Sequence, residues 1–236
     1  MFLYYIPDIV LIASAIVPAL WLLTMVYRAD RMEPEPPALL VRLVLRGIFA
    51  TSIAKVLEYA GSLFMDSMFE QETVLYNILM YFGVVAFAEE GAKYVLLKRH
   101  TWGHPEFNCR FDGVVYAVFV SLGFALWENI GYVTMYGLGT AMIRALTAVP
   151  GHACFGVFMG CWYARAAMLA RRGDETASKP MRVMSVLLPA LLHGAYDYLA
   201  VAATDASAWY FLFFVAALFI ITWRLVVRLA RQDRFI

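Results

Sequence analysis

Long apolar runs separated by short polar segments dominate the chain and predict membrane-spanning helices. Runs of about 20 apolar residues have the length at which an α-helix crosses a bilayer. Hydropathy predicts seven spans, at approximately 3–27, 43–65, 73–97, 112–136, 140–168, 183–203 and 207–230. A polar, proline-rich linker at 28–37 joins the first two, and the other connections are short. We therefore predict one all-α domain over residues 1–236, a polytopic transmembrane helical bundle.

The composition supports a membrane location. Hydrophobic residues make up 63% of the 236 residues and charged residues 16%, whereas soluble domains carry about 25% charged residues. The mean hydropathy is +0.69, so we expect the lipid bilayer to surround most of the chain. A formal net charge of +1 argues against a nucleic-acid partner, because such proteins carry a basic face or stripe. Three cysteines are too few and too scattered for a disulfide framework or a zinc ribbon.

Basic residues are distributed unevenly between the connections. Alternate connections and the C-terminus contain Arg28, Arg31, Lys98, Arg99, Arg110, Arg171, Arg172, Lys179, Arg182, Arg228, Arg231 and Arg234. The intervening loops, at 66–72, 137–139 and 204–207, contain no Lys or Arg. Because basic residues collect on the cytoplasmic side of membrane proteins, we predict that the N-terminus is outside and the C-terminus cytoplasmic. With seven spans, every connection that contains basic residues lies on the cytoplasmic side and every loop without them lies outside.

Ionisable residues occur inside the predicted spans, where each costs roughly 2.5–3.5 kcal/mol. They are Lys55, Glu58, Glu89, Glu90, Lys93, Glu128, Arg144, His152, His193 and Asp197. Such residues normally face the bundle interior and mark a functional pathway. Spans three to six each place a carboxylate or an imidazole near mid-membrane, counting about 1.5 Å of rise per helical residue. This convergence predicts a functional site within the membrane.

Helical spacing links several of these residues. Glu89 and Lys93 are four residues apart and can pair on one helix face, whereas Glu90 has no such partner in the motif. His193 and Asp197 have the same spacing, and an aspartate in that position can fix the tautomer of the histidine. A structural ion pair and a hydrogen bond that bridges helices are the alternative interpretations of the two pairs.

Glu128 and His152 lie in the fourth and fifth predicted spans. His152 follows Pro150-Gly151, which we expect to kink the helix and leave backbone carbonyls without partners. Irregular backbone at membrane depth is tolerated where it lines a cavity or is buried in protein. The alternatives are a polar contact between helices for Glu128 and a hydrogen-bonded histidine at a kink for His152. Three further residues are interpreted as structural ion pairs or counter-ions: Lys55, Glu58 and Arg144.

Two chemistries for peptide hydrolysis can be built from these side chains. In the first, Glu128, His152 and His193 hold a Zn²⁺ ion with water in the fourth position, a known type of catalytic zinc set. Glu89 or Glu90 then serves as the base. In the second there is no metal: Glu89 or Glu90 activates water with help from one histidine, and the other histidine stabilises the oxyanion. The zincin motif His-Glu-x-x-His and the Gly-x-Ser-x-Gly elbow are both absent, so the sequence leaves these two chemistries open.

Five short motifs follow one another between about residues 80 and 200. They are Glu89-Glu90-Gly91-Ala92-Lys93, Phe111-Asp112-Gly113-Val114-Val115-Tyr116, the segment from Gly123-Phe124 to Glu128-Asn129, Val149-Pro150-Gly151-His152, and His193-Gly194-Ala195-Tyr196-Asp197. In order and spacing they resemble the PrsW family, which belongs with the CAAX-type prenyl endopeptidases in a superfamily of membrane-embedded proteases. The resemblance implies a helical bundle with a site that opens into the membrane. It places the motif-bearing core at about 73–203 and leaves 1–72 as accessory helices.

The same resemblance implies roles for individual residues. Glu89 and Glu90 correspond to the paired glutamates of the family, and His193 and Asp197 to its His-x-x-x-Asp/Asn element. Glu128 stands where the prenyl-endopeptidase branch has histidine, which argues against a prenylated substrate. Members of this superfamily are described both as metalloproteases and as glutamic proteases, so zinc is expected as a cofactor only in the metal-dependent chemistry.

The resemblance also implies a substrate and a location. PrsW-like proteins make the first cut in a membrane-spanning anti-sigma factor, in a regulated cascade that releases a sigma factor. We therefore expect an intramembrane endopeptidase of the bacterial plasma membrane that acts on a single-pass membrane protein.

Two other classes of protein have part of this pattern. A non-catalytic scaffold or immunity-type protein, a function found in the wider superfamily, is expected to have lost site residues, and every candidate position here is filled. An ion-coupled transporter also contains buried acids and broken helices, but the sequence shows no inverted repeat. We therefore favour the intramembrane protease.

Overall fold

The computed structural model describes residues 2–71, 73–202 and 208–236, and these fold almost entirely into helices. The elements are α1 Phe2–Ala29, α2 Pro37–Met68, α3 Val74–Ile78, a π-helical segment Leu79–Val85, α4 Ala86–Thr101, α5 Asp112–Leu146, α6 Ala148–Arg171, α7 Glu175–Val201 and α8 Ala208–Arg231. Within the described ranges, extended pairing is limited to one isolated bridge between Cys109 and Phe235. The predicted all-α class is confirmed.

Five helical segments are long and apolar enough to cross a membrane. They are Ile12–Ala29, Val74–Thr101, Asp112–Arg171, Glu175–Val201 and Ala208–Arg231. The prediction of a membrane protein with several spanning helices is therefore confirmed, while the number of seven passes and the orientation stay predictions. Residue 72 and the predicted loop at 204–207 lie outside the described residues.

The predicted connection at 137–139 is a reversal of the chain inside α5. Gly137 has a φ of 79°, a conformation that glycine adopts without a steric penalty. Arg144 then donates a hydrogen bond to Glu128 at 2.7 Å, and its guanidinium lies 3.8 Å from the ring centre of Tyr132. These contacts join residues on opposite sides of Gly137, so the chain folds back on itself at that glycine.

The kink expected at Pro150-Gly151 occurs earlier in the chain. The backbone leaves helical geometry at Thr147, which has φ −123° and ψ −65°, and α6 begins at Ala148. Pro150 therefore lies in the first turn of α6, where its missing N–H removes no intrahelical hydrogen bond. The predicted position of the kink is thus wrong, and His152 projects from regular helix just after the break.

The first half of α5 forms the centre of the bundle. Every residue from Phe111 to Ala125 is buried, and α1, α2 and α6 pack around this helix. A Cβ added to Gly47 of α2 would lie 2.0 Å from the carbonyl oxygen of Val120, and one added to Gly123 would lie 2.2 Å from that of Val44. Small residues allow membrane helices to approach closely, so α2 and α5 pack backbone against backbone.

The helix α4 completes the bundle on the side that carries the predicted site. It packs against α2, α5 and α7, and it follows directly on the π-helical segment, a rare geometry that is frequent at functional sites. An added Cβ on Gly194 of α7 would lie 2.7 Å from the ring of Phe82, so α7 is pressed against this segment. In the resulting contact α4 buries Glu89, Glu90 and Lys93.

Candidate active site

Glu89, Glu90 and Lys93 of α4 form the centre of the site, and each is at most 2% exposed. The Nζ of Lys93 donates hydrogen bonds to Oε1 of Glu90 at 2.7 Å and to Oε2 of Glu89 at 3.3 Å. The predicted Glu89–Lys93 pair is present, but the expectation that Glu90 lacks a partner in its motif is wrong. Residues three and four positions apart share a helix face, so one lysine reaches both carboxylates.

The contacts of His152 define its tautomer. The Nζ of Lys93 lies 3.0 Å from Nδ1 of His152, and an ammonium group can only donate, so Nδ1 is the acceptor. Nε2 then carries the proton and donates it to Oε2 of Glu128, at 3.1 Å. A contact of this kind fixes the orientation of an imidazole ring. It leaves Nδ1 of His152 directed at the centre of the site.

His193 reaches the same centre from α7. Its Nδ1 is 3.0 Å from Oε1 of Glu90, and its Nε2 is 3.8 Å from Oε2 of Glu89. Nε2 also lies 3.4 Å from Oδ2 of Asp197, one helical turn further on. The structure therefore brings the predicted His193–Asp197 pair together. In this arrangement Asp197 can orient the ring from its outer side.

Glu128 lies on the outer side of His152 among basic side chains. Its Oε2 accepts a hydrogen bond from Arg144 at 2.7 Å, and its Oε1 is 4.0 Å from Nζ of Lys55. Arg144 also donates from Nε to Oδ1 of Asn129 at 3.1 Å. Arg144 is thus the counter-ion of Glu128, and Glu128 contacts the centre of the site through His152.

Aromatic rings line the polar centre. Phe155 stacks on His193, with ring centres 4.8 Å apart, and meets the His152 ring nearly edge-on at 5.9 Å. The ring centre of Phe124 lies 4.0 Å from Nζ of Lys93. Phe155 was not among the predicted site residues, and Phe124 was predicted only as part of a motif. One available signal was the three-residue spacing of His152 and Phe155, which places both on one helix face.

Two glutamates and two histidines are close enough to share a metal ion. Glu89, Glu90, His152 and His193 each offer one donor atom, and these atoms all lie within 4.8 Å of one another. Within the described structure, Oε2 of Glu90 is buried and has no hydrogen-bond partner. Glu128, which the sequence analysis included as a zinc ligand, is not a member of this group. Carboxylates can take a proton from water, and imidazoles with carboxylates are typical ligands of zinc.

Fold and site together define a class of protein: a helical membrane protein that buries, between its spanning helices, the carboxylates and imidazoles that hydrolysis uses. A family model described as PrsW family intramembrane metalloprotease matches residues 35–223. The chain therefore belongs to the PrsW family of intramembrane proteases.

Bacterial proteins named Protease PrsW are similar to this chain over most of its length. The protein from Halalkalibacterium halodurans is 33% identical over 225 residues, which cover 94% of this chain and 97% of that protein. The protein from Bacillus subtilis is 32% identical over 225 residues, with 95% of both chains covered. The protein from Clostridioides difficile is 31% identical over 189 residues, covering 78% of this chain and 76% of its own. No solved structure matches the chain significantly.

Proposed function

We propose that this chain is an intramembrane endopeptidase whose reaction centre consists of Glu89, Glu90, His152 and His193. The observation that supports the proposal is that donor atoms from these four buried residues lie within 4.8 Å of one another. They come from α4, α6 and α7, so the centre forms only when the bundle is folded. Peptide hydrolysis requires an activated water, a proton acceptor and stabilisation of an oxyanion, and this group contains side chains suited to each task.

The residues fit a zinc ion, which would replace the hydrogen bond from Lys93 on Nδ1 of His152. Two imidazoles with one carboxylate form a known catalytic zinc set, and the unpartnered Oε2 of Glu90 is a suitable third ligand beside His152 and His193. This assignment leaves Glu89 as the base and gives Glu128 the task of orienting His152. When bound, zinc would activate a water molecule and polarise the peptide carbonyl.

The surrounding side chains hold this centre in place. Glu128 accepts a hydrogen bond from Nε2 of His152, and Asp197 lies 3.4 Å from Nε2 of His193, so Nδ1 of each ring faces the centre. Lys93 offsets the charge of the paired glutamates through its two hydrogen bonds. In the reaction, Glu89 takes a proton from the attacking water and returns it to the departing amine nitrogen.

A glutamate mechanism without metal uses the same side chains. Glu89 or Glu90 removes a proton from water while the water oxygen attacks the peptide carbon. The proton then passes to the amine nitrogen as the peptide bond breaks. One histidine assists the glutamate and the other stabilises the oxyanion. The two mechanisms differ in their need for zinc, so metal content separates them.

Access to the centre requires movement of the helices. Glu90 and Lys93 are fully buried, and His152 and His193 are each 3% exposed. A peptide can reach these side chains only when neighbouring helices separate. An enclosed centre also keeps bulk water away from the reactive groups until the substrate enters.

We further propose seven membrane passes. The 60-residue segment Asp112–Arg171 reverses at Gly137 and so accounts for two passes, and the other four apolar segments account for one each. α2, with 32 residues, is about 48 Å long at 1.5 Å per residue and supplies the seventh. Basic residues in alternate connections support an external N-terminus and a cytoplasmic C-terminus.

The proposed substrate is a single-pass membrane protein of the anti-sigma-factor type in a bacterial plasma membrane. This proposal rests on the motifs shared with the PrsW family. A helical substrate suits a centre buried between spanning helices, because it can approach within the plane of the membrane.

The zinc content of the purified protein tests the metal-dependent mechanism. We expect about one zinc per chain, lost in His152→Ala and in His193→Ala because each removes a ligand. His104→Ala, in the loop before α5, is the control and should retain the metal. A folded, zinc-free preparation that cleaves a membrane substrate would support the glutamate mechanism. Zinc-loaded protein that cleaves no membrane-spanning substrate would contradict the proposed endopeptidase and favour a scaffold.

Removal of His193 is expected to lower cleavage more than removal of Asp197. His193 belongs to the reaction centre, whereas Asp197 acts only through the orientation of the ring. Asp197→Asn keeps a side chain that can accept from Nε2, so we expect it to retain more activity than Asp197→Ala. The rates of the three variants on one membrane substrate check this order. Equal losses in His193→Ala and Asp197→Ala would contradict the orienting role.

A further inference from the structure

A second group of buried acids lies at the end of the bundle where the α1–α2 linker meets the start of α5. Asp30 and Glu35 of the linker and Asp112, the first residue of α5, each place a carboxylate oxygen within 4.8 Å of the others. The three residues are 5%, 3% and 1% exposed. Asp112 precedes Glu128 by sixteen helical residues, or about 24 Å along α5, so this group is separate from the reaction centre.

These carboxylates lack the cation that normally accompanies buried acids. Both carboxylate oxygens of Asp30 and Oε2 of Glu35 are buried without a hydrogen-bond partner. Across the described parts of the chain, no Lys, Arg or His lies within 4.0 Å of the carboxylates of Asp30, Glu35 or Asp112. The reaction centre differs, because Lys93 contacts both of its glutamates. Burying an uncompensated charge is costly.

The surrounding backbone holds the acids in place. Oδ2 of Asp112 accepts hydrogen bonds from the backbone N–H groups of Asn108, at 2.9 Å, and Cys109, at 2.6 Å. The side-chain amide of Asn108 donates to Glu33 at 3.1 Å, which ties the loop before α5 to the α1–α2 linker. Two segments that are distant in sequence therefore present their carboxylates to one point.

We propose that Asp30, Glu35 and Asp112 form a binding site for a divalent cation of the hard, oxygen-preferring class, Mg²⁺ or Ca²⁺. Such cations bind carboxylate oxygens and complete their coordination with water. The cation supplies the positive charge that the protein itself does not place there. By bridging the linker and the start of α5, it fixes the position of α1 and α2 relative to the central helix.

An overlapping group, Cys109, Asp112 and Asp233, also has donor atoms within 4.8 Å. It is the weaker candidate for this class of cation, because one of its three donors is a thiol, which favours softer metals than magnesium or calcium. Zinc binding that depends on the thiol of Cys109 would therefore contradict the proposed site.

Binding of Mn²⁺ to the full-length, chelator-treated protein in detergent tests the proposal, with Mg²⁺ and Ca²⁺ as competitors. We expect saturable Mn²⁺ binding that both competitors displace, and an increase in Tm with either cation, because a ligand that binds only the folded state stabilises it. Asp30→Asn and Glu35→Gln should weaken binding at least tenfold. Glu175→Gln removes the same charge from an exposed position on α7 and should leave binding unchanged. His193→Ala should retain the Mn²⁺ binding that Mg²⁺ and Ca²⁺ displace, which separates this site from any metal bound at the reaction centre.

Four results would overturn the site. They are the absence of saturable binding in the wild type, unchanged binding in both linker variants, loss of binding in His193→Ala, and zinc-selective binding that Cys109→Ser removes but Asp30→Asn does not. In chelator, Asp30→Asn and Glu35→Gln should melt at or above the wild-type Tm, because each removes a like charge from a crowded group. A lower Tm in both variants would show that the acids are not mutually repulsive and would contradict the need for a cation.

Discussion

Glu89→Ala and Glu90→Ala are each expected to abolish cleavage while the protein still inserts into the membrane and purifies normally. Both side chains belong to the proposed reaction centre under either mechanism, one as base and the other as ligand or partner. A positioned general base contributes typically 10²–10⁴-fold, so we expect losses of at least about a hundredfold. The measurement is cleavage of a single-pass membrane protein by purified enzyme in liposomes.

Isosteric variants sharpen this experiment. Glu89→Gln and Glu90→Gln keep the shape of the side chain and an acceptor for Lys93, yet remove the negative charge and the capacity to take a proton. They should fold and remain inactive. Glu175→Gln is a suitable control, because its side chain is 58% exposed on α7 and, among the described residues, pairs only with Arg182. Wild-type cleavage in both Glu89→Ala and Glu90→Ala would refute the assigned reaction centre.

Lys93→Met is expected to cause the largest loss of stability. Lys93 is fully buried and donates to both glutamates, so its replacement leaves two neighbouring carboxylates without the ammonium group that they share. Breaking a buried ion pair by removal of one partner costs about 3–5 kcal/mol. The free energy of unfolding in mixed micelles, or the Tm in detergent, measures the effect.

Two further variants test whether the loss of stability in Lys93→Met comes from the lost charge or from altered packing. The double variant Lys93→Met with Glu90→Gln should recover much of the lost stability, because only one charged carboxylate then remains in the pair. Lys55→Met should cost much less, since the Lys55 side chain is 50% exposed and exposed ion pairs contribute about 0–1 kcal/mol. If the Lys93→Met and Lys55→Met proteins had the same Tm, the buried contacts of Lys93 with Glu89 and Glu90 would not be a main contribution to stability.

The sequence predicted those parts of the structure that depend on neighbouring residues. Apolar runs predicted the helices, because a chain in lipid must satisfy its backbone hydrogen bonds within each segment. The four-residue spacing predicted the Glu89–Lys93 and His193–Asp197 contacts, because such residues share a helix face. Residues three positions apart also share a helix face. Lys93 therefore contacts Glu90 as well, and the expectation that Glu90 has no partner was wrong.

The assembly of the site was decided by the tertiary structure. Lys93 contacts His152 across 59 residues, and His193 contacts Glu90 across 103 residues. Those contacts depend on how each helix is rotated about its axis, which hydropathy does not specify. Rotation follows from packing, such as the close approach of α7 to the π-helical segment at Gly194.

What the sequence determined by itself was therefore the helices, the membrane location and the ionisable residues that lie within the spans. The structure alone decided that Glu128 contacts the centre through His152, and that Asp30, Glu35 and Asp112 meet at one end of the bundle. The physical reason is that backbone hydrogen bonding and hydropathy act within a segment, whereas side-chain contacts between helices depend on the packing of the whole bundle.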